Sequence, residues 1–166
     1  MEILIRPERA DDHAAIHDVT QRAFAPMPYA DGDEQLLIGK LRDAGALALS
    51  LVAESDGVVV GQVTFSPAFA ADGSPGWYAL GPVSVEPTLK HQGIGGQLIR
   101  AGIAWLQDQD AAGCVLIGNP AYYSRFGFRV FSELAPAGMP AEYYQMLPLG
   151  VAQPNVVVSF NQLFGG

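Results

Sequence analysis

A proline stands inside an apolar, strand-like run, and a glycine-rich turn into a helix follows it closely. The run is Leu80-Gly81-Pro82-Val83-Ser84-Val85, and the turn is Gln92-Gly93-Ile94-Gly95-Gly96. No other stretch limits the fold as strongly. Proline has no N–H to give to a ladder, so the strand either lies at a sheet edge or bulges away from a neighbour at Pro82. Glycines at a helix start let the backbone approach a ligand while the N–H groups of the first turn point outward. Such a turn suits an anion. Neither the Gly-Lys-Ser/Thr of a Walker loop nor a dinucleotide fingerprint at a first βα unit is present. A tight strand-to-helix turn without a ligand is the plain alternative.

Charge separates these readings. The chain carries 9 Lys+Arg against 17 Asp+Glu, a net charge of −8, which argues against nucleic acid as a partner. Yet residues 87–107 contain no acid while they hold Lys90, His91 and Arg100. A locally acid-free helix start in an acidic chain favours a phosphate ligand.

The remaining segments read as alternating strands and helices. Glu2 to Arg6 is a β-rich run, and Ala10-Asp11-Asp12 caps a helix with Ile16, Val19, Thr20 and Ala23 at helical spacing. Pro26 and Pro28 end it, and a second helix is predicted from Asp33 to Asp43 with Leu36, Leu37 and Leu41 inward. Ala48–Glu54 and Val58–Ser66 form a hairpin around Ser55-Asp56-Gly57, and Trp77–Val85 is the next strand. The helix after the glycine turn runs from Gln92 to Gln107, with Ile94, Leu98, Ala101 and Trp105 near one face. Cys114–Ile117 is a short buried strand, and Tyr143–Leu149 and Asn155–Phe160 are two closing strands. Between them Asn119 caps a short helix, with Pro120 at its first position and Gly127 as its stop. There Tyr122 and Phe126 share a face, while Tyr123 turns toward the end of the preceding strand. Packing of both tyrosines in the core is the ordinary alternative.

The order βααβββαβαββ describes an α/β chain with a mixed sheet, expected as one domain over residues 1–166. Cys114 is the lone cysteine and lies in a buried strand, so neither a disulfide nor a thiol nucleophile is expected. His13 and His17 have i,i+4 spacing without a third ligand, so a solvated helix face is expected and no metal. No apolar run is long enough to span a bilayer and no signal-peptide pattern opens the chain. A soluble, cytoplasmic domain is expected.

Together, Leu80–Val85, Gln92–Gly95 and Tyr122-Tyr123-Ser124-Arg125-Phe126-Gly127-Phe128 resemble the GNAT superfamily of N-acetyltransferases, and its YhbS-like group in particular. Ser50–Glu54 and Gly61–Pro67 resemble that group as well. The resemblance implies a central, mostly antiparallel mixed sheet of about seven strands flanked by about four helices. It implies acetyl-CoA as cosubstrate, with the pyrophosphate on the backbone of His91, Gln92, Gly93, Ile94, Gly95 and Gly96. Lys90 stands where the family usually has Arg or Gln. Val83, Ser84 and Val85 would meet the pantetheine arm, Asn119 would lie on the cofactor side, and Tyr123 would be the general acid. The base is open. No carboxylate stands on the Trp77–Val85 strand, where several members keep one, so Glu34, Asp31, Glu86 and a water chain are the candidates. The loop from Pro26 to Asp33, with Met27, Tyr29, Asp31 and Asp33, would line the site of a primary amine. The expected protein is a monomer or homodimer that transfers acetyl directly in a ternary complex. A non-catalytic acyl-CoA-binding sensor is the alternative from another class.

Overall fold

The computed structural model describes residues 1–28 and 30–165. The strands are β1 (Leu4–Pro7), β2 (Leu49–Ser55), β3 (Val58–Pro67), β4 (Phe69–Ala70), β5 (Trp77–Val85), β6 (Gly113–Ile117), β7 (Arg129–Val130), β8 (Tyr144–Pro148) and β9 (Val158–Ser159). The helices are α1 (His13–Phe24), α2 (Glu34–Asp43), α3 (Ile94–Asp108) and α4 (Pro120–Tyr123). Seven strands form one sheet in the order β1-β2-β3-β5-β6-β8-β7, and β4 pairs with β9 separately. The pairs β1–β2, β2–β3, β4–β9, β6–β8 and β7–β8 are antiparallel, and β5 runs parallel to β6. The chain divides into two compact units, Met1–Phe65 with Gly81–Gly102, and Ser66–Leu80 with Ile103–Gly166.

In the first unit the β2–β3 hairpin turns on Asp56 (φ 51°) and Gly57 (φ 80°). Both are left-handed, the demand of the two-residue turn whose twist matches its strands. Ile16 and Val19 of α1, Ile38 of α2, Val52 of β2 and Val59 of β3 pack as one apolar cluster. The inward face of α2 differs from expectation: Gln35, Ile38 and Leu41 are buried, while Leu36 is 48% exposed. At 100° per residue Leu36 lies about 200° around the helix from Ile38, so the two cannot share a face. Gln35 is accommodated because its Nε2 donates to Gly32 O at 3.1 Å. Asp12 does not cap α1 with its side chain. Its carboxylate instead accepts from Arg6 Nη1 (2.7 Å), Arg6 Nη2 (3.1 Å) and Arg9 N (2.7 Å), while Arg6 also holds Glu54.

In the second unit Trp77, Ala79, Val115, Tyr144, Met146 and Val158 form the buried core. The expected closing strand Asn155–Phe160 reduces to β9, which joins β4 rather than the main sheet. The seventh strand of that sheet is β7, a two-residue segment paired with β8 through Arg129↔Met146 and Val130↔Gln145. Two residues carry no readable period-two pattern. No helix among the described residues is long and apolar enough to cross a membrane.

Candidate active site

β5 sits between β3 and β6, so the edge explanation for Pro82 falls. The parallel register with β6 covers Trp77, Tyr78 and Ala79, and Gly81–Pro82, a cis peptide bond, lies beyond it. Pro82 is therefore not asked for a ladder bond to β6. Val83 and Val85 are half-buried, and buried Ser84 donates its hydroxyl to Thr20 Oγ1 at 3.0 Å. At the strand's end Glu86 N donates to Val60 O at 2.8 Å.

A single turn over Pro87–Leu89 leads into the glycine segment. Lys90, His91, Gln92 and Gly93 are exposed. His91 (φ 65°) and Gly93 (φ 82°) are left-handed, so α3 starts at Ile94 rather than at Gln92 as expected. A Cβ built on Gly93 would meet nothing within 4 Å. Gln97 N–H to Gly93 O at 3.0 Å is the first rung of the helix, which leaves the N–H groups before it at its open, positive end. No acid lies in the first turn. This is the chemistry of an anion cradle: open space, backbone donors and no like charge. The buried face of α3 is Ile94, Leu98, Ile99, Gly102 and Leu106, with Ala101 and Trp105 only half-buried.

Two of the candidate bases of this unit, Glu86 and Glu34, hold hydrogen bonds. Glu86 holds Arg22 through three contacts of 3.1, 3.1 and 2.7 Å, a partnership across 64 residues that no sequence pattern marks. Glu34 accepts from Asp31 N (2.9 Å) and Gly32 N (3.2 Å), closing the turn that begins α2. Asp31, Asp33 and Glu34 each place a carboxylate oxygen within 4.8 Å of the others. That makes an anionic rim suited to a cation on the loop expected to meet the acceptor. Tyr29, expected on the same loop, lies outside the described residues.

In the second unit Asn119 caps α4, its Oδ1 accepting from Ala121 N at 3.0 Å, and Gly127 (φ 97°) closes the following turn. Tyr123 lies in an aromatic nest, with ring centroids 5.0 Å from Tyr122, 6.3 Å from Phe126 and 6.0 Å from Phe128. Tyr122 packs on Phe126 as expected (5.5 Å), and Arg125 lies 4.4 Å over the Tyr122 ring. The ring of Tyr123 rests on Gly118, where an added Cβ would be 2.5 Å from its Cε2. Tyr144, by contrast, is fully buried and donates to Val158 O at 2.8 Å. Burial pushes its hydroxyl up to about 12, so it is a structural tyrosine. Burial likewise pushes the Cys114 thiol well above its ordinary range, which agrees with an inert cysteine. His13 contacts Glu8 (3.2 Å) and His17 contacts Asp18 (3.4 Å), so each histidine has its own acidic neighbour. Gln145 carries one signal in the sequence, a polar residue inside the apolar run Tyr144–Pro148.

Residues 10–128 match the model of the acetyltransferase (GNAT) family. The chain is 36% identical over 129 residues to the uncharacterized N-acetyltransferase YhbS of Escherichia coli K12, spanning 77% of this chain and 74% of that protein. Its structure is similar to a GNAT family acetyltransferase from Brucella melitensis in complex with acetyl-CoA, with a TM-score of 0.87 and 44% identity over 98% of each chain. It is also similar to YhbS from Escherichia coli in complex with CoA, with a TM-score of 0.89 and 29% identity, covering 100% of this chain and 93% of that one.

Proposed function

The chain belongs to the acetyltransferase (GNAT) family, and from that premise we propose that it moves the acetyl group of acetyl-CoA directly to a primary amine. The observation that carries this reading is the left-handed, open Gly93 leading into the acid-free start of α3. In this reading the backbone from His91 to Gly96 takes the pyrophosphate, with Lys90 adding positive charge beside it. The backbone of Val83, Ser84 and Val85 pairs with the pantetheine arm, and one N–H there steadies the thioester oxygen. A backbone donor aimed at a developing oxyanion contributes typically ~3–4 kcal/mol.

The arriving ammonium gives up one proton to expose its lone pair, and the neutral nitrogen attacks the thioester carbon. A second proton leaves the nitrogen as the carbon–sulfur bond breaks from the tetrahedral intermediate. Tyr123 gives the departing thiolate its proton. The reference pKa of tyrosine, near ~10, lies close to that of a thiol. For the amine proton, Glu34 and Asp31 are the side-chain candidates beside a water chain, because Glu86 is committed to Arg22. The acidic rim of Asp31, Asp33 and Glu34 supports a cationic amine as the arriving acceptor. Asn119 enters the reading through the turn it caps, since its Oδ1 is bound to Ala121 N. We take residues 1–166 as one N-acetyltransferase domain, cytoplasmic as its donor suggests, and monomeric or homodimeric. The non-catalytic sensor is not favoured by a chain that matches an acetyltransferase family over residues 10–128.

Tyr123→Phe tests the proposal, because it keeps the ring's packing and removes only the hydroxyl. General acids contribute ~100- to 10,000-fold, so kcat should fall steeply while CoA affinity stays. Tyr122→Phe should leave kcat near the parent value. Wild-type kcat in Tyr123→Phe, with chemistry rate-limiting, would refute the assignment.

A further inference from the structure

Gln145 is fully buried on β8, in register with Leu116 of β6 and Val130 of β7. Its Nε2 donates to Gly118 O at 2.9 Å and lies 3.4 Å from Tyr143 O. Both neighbours are carbonyl oxygens, so the amide's orientation is settled by its partners: the NH2 end must face them. Its Oε1 then has no hydrogen-bond partner among the described residues. A buried glutamine with an idle acceptor is destabilising in an otherwise apolar strand. A methionine would fill the same space without that penalty.

What the donor end holds explains its place. Gly118 ends the segment after β6, and its α-carbon is the floor on which the Tyr123 ring lies, too close for any Cβ. The next residue, Asn119, caps α4 and so sets where Tyr123 leaves the helix. A bond to Gly118 O therefore fixes the surface against which the tyrosine is seated. We propose that Gln145 is a positioning residue that holds the Gly118 carbonyl and through it the Tyr123 ring. Its catalytic consequence rests on the reading of Tyr123 as proton donor, while its geometric consequence does not.

Gln145→Met removes the donor and keeps the length. A displacement of about 1 Å in a reacting group lowers turnover on the order of a hundredfold. Thus kcat should fall by about that factor while KM for acetyl-CoA stays within about twofold. The double variant Gln145→Met/Tyr123→Phe should have a kcat no lower than that of Tyr123→Phe alone, because the loss in Gln145→Met runs through the hydroxyl that Tyr123→Phe removes. By NMR, the Gly118 amide and the Tyr123 ring resonances should move while the fold's remaining amides hold. Should Gln145→Met not fold, Gln145→Leu removes the donor without placing an acid O–H or a charge against the two carbonyls, and it is read in the same two ways. Unmoved Tyr123 resonances, or losses that multiply in the double variant, would overturn the proposal. If Tyr123→Phe alone leaves kcat unchanged, the proton-donor reading fails, and the resonances still decide whether Gln145 seats the ring.

Discussion

Replacing Gly93 with alanine separates a ligand-binding glycine from one that merely turns the chain. Its φ of 82° is left-handed, a region that disfavours a Cβ by roughly 1–2 kcal/mol. The same substitution restricts the unfolded chain and returns about 0.4–1 kcal/mol, so the net destabilisation should be on the order of 1 kcal/mol. No steric addition is expected, since nothing lies within 4 Å of the new Cβ. Gly57 provides a matched control: its φ is 80° and its Cβ would also meet nothing within 4 Å, but it lies in the β2–β3 hairpin. Gly57→Ala and Gly93→Ala should therefore lose similar stability in denaturant melts. Only Gly93→Ala should weaken CoA in calorimetric titrations, by at least about tenfold or 1.4 kcal/mol. Equal CoA affinity in both variants would reduce Gly93 to a turn residue and remove the observation on which the functional proposal stands.

Gly102→Ala should destabilise the fold by about 1–3 kcal/mol, the usual range for overpacking, because its Cβ would run into the Phe65 ring. Gly39→Ala in α2, where a Cβ meets nothing within 4 Å, should shift the denaturation midpoint the other way through helix propensity, and a shared sign would defeat the packing argument. Asp12 supplies an acid limb to stability: the Arg6 guanidinium holds its carboxyl below the ordinary value of 3.8, against the opposing effect of burial. That stabilisation is present above the unfolded value and is lost as pH falls through the lowered folded value. Unfolding free energy measured against pH should flatten there in Asp12→Asn, and an unchanged slope would assign the acid limb to other groups.

Several parts of the site were legible because their demands are local. Asp56-Gly57 reads as a hairpin turn because both positions need positive φ, and two residues carry that demand. Asn119-Pro120 with Gly127 brackets a short helix because a side-chain cap, a proline at the first position and a left-handed stop are each carried by one residue, and the cap bond to Ala121 N is as expected. The glycine segment before α3 announced an open helix start, although the left-handed His91 moved that start to Ile94. Gln145 was not legible in its role. A lone polar residue in a strand says nothing about which carbonyl it will face, and Gly118 is 27 positions away.

The sequence by itself determined the longer elements, their order and the acid-free, glycine-rich start of α3, but not the two-residue strands β4 and β7, since each longer element depends on backbone preferences and neighbours within a few residues. Tertiary structure alone decided which strand completes the sheet, where β7 took the place expected for Asn155–Phe160. It also decided that Glu86 is bound to Arg22 rather than available as a base, and that Leu36 faces outward. Those outcomes come from pairing between residues far apart in the chain. Strand register and helix rotation are settled by which partner buries the most apolar surface and satisfies the most polar groups, and no local stretch of sequence carries that comparison.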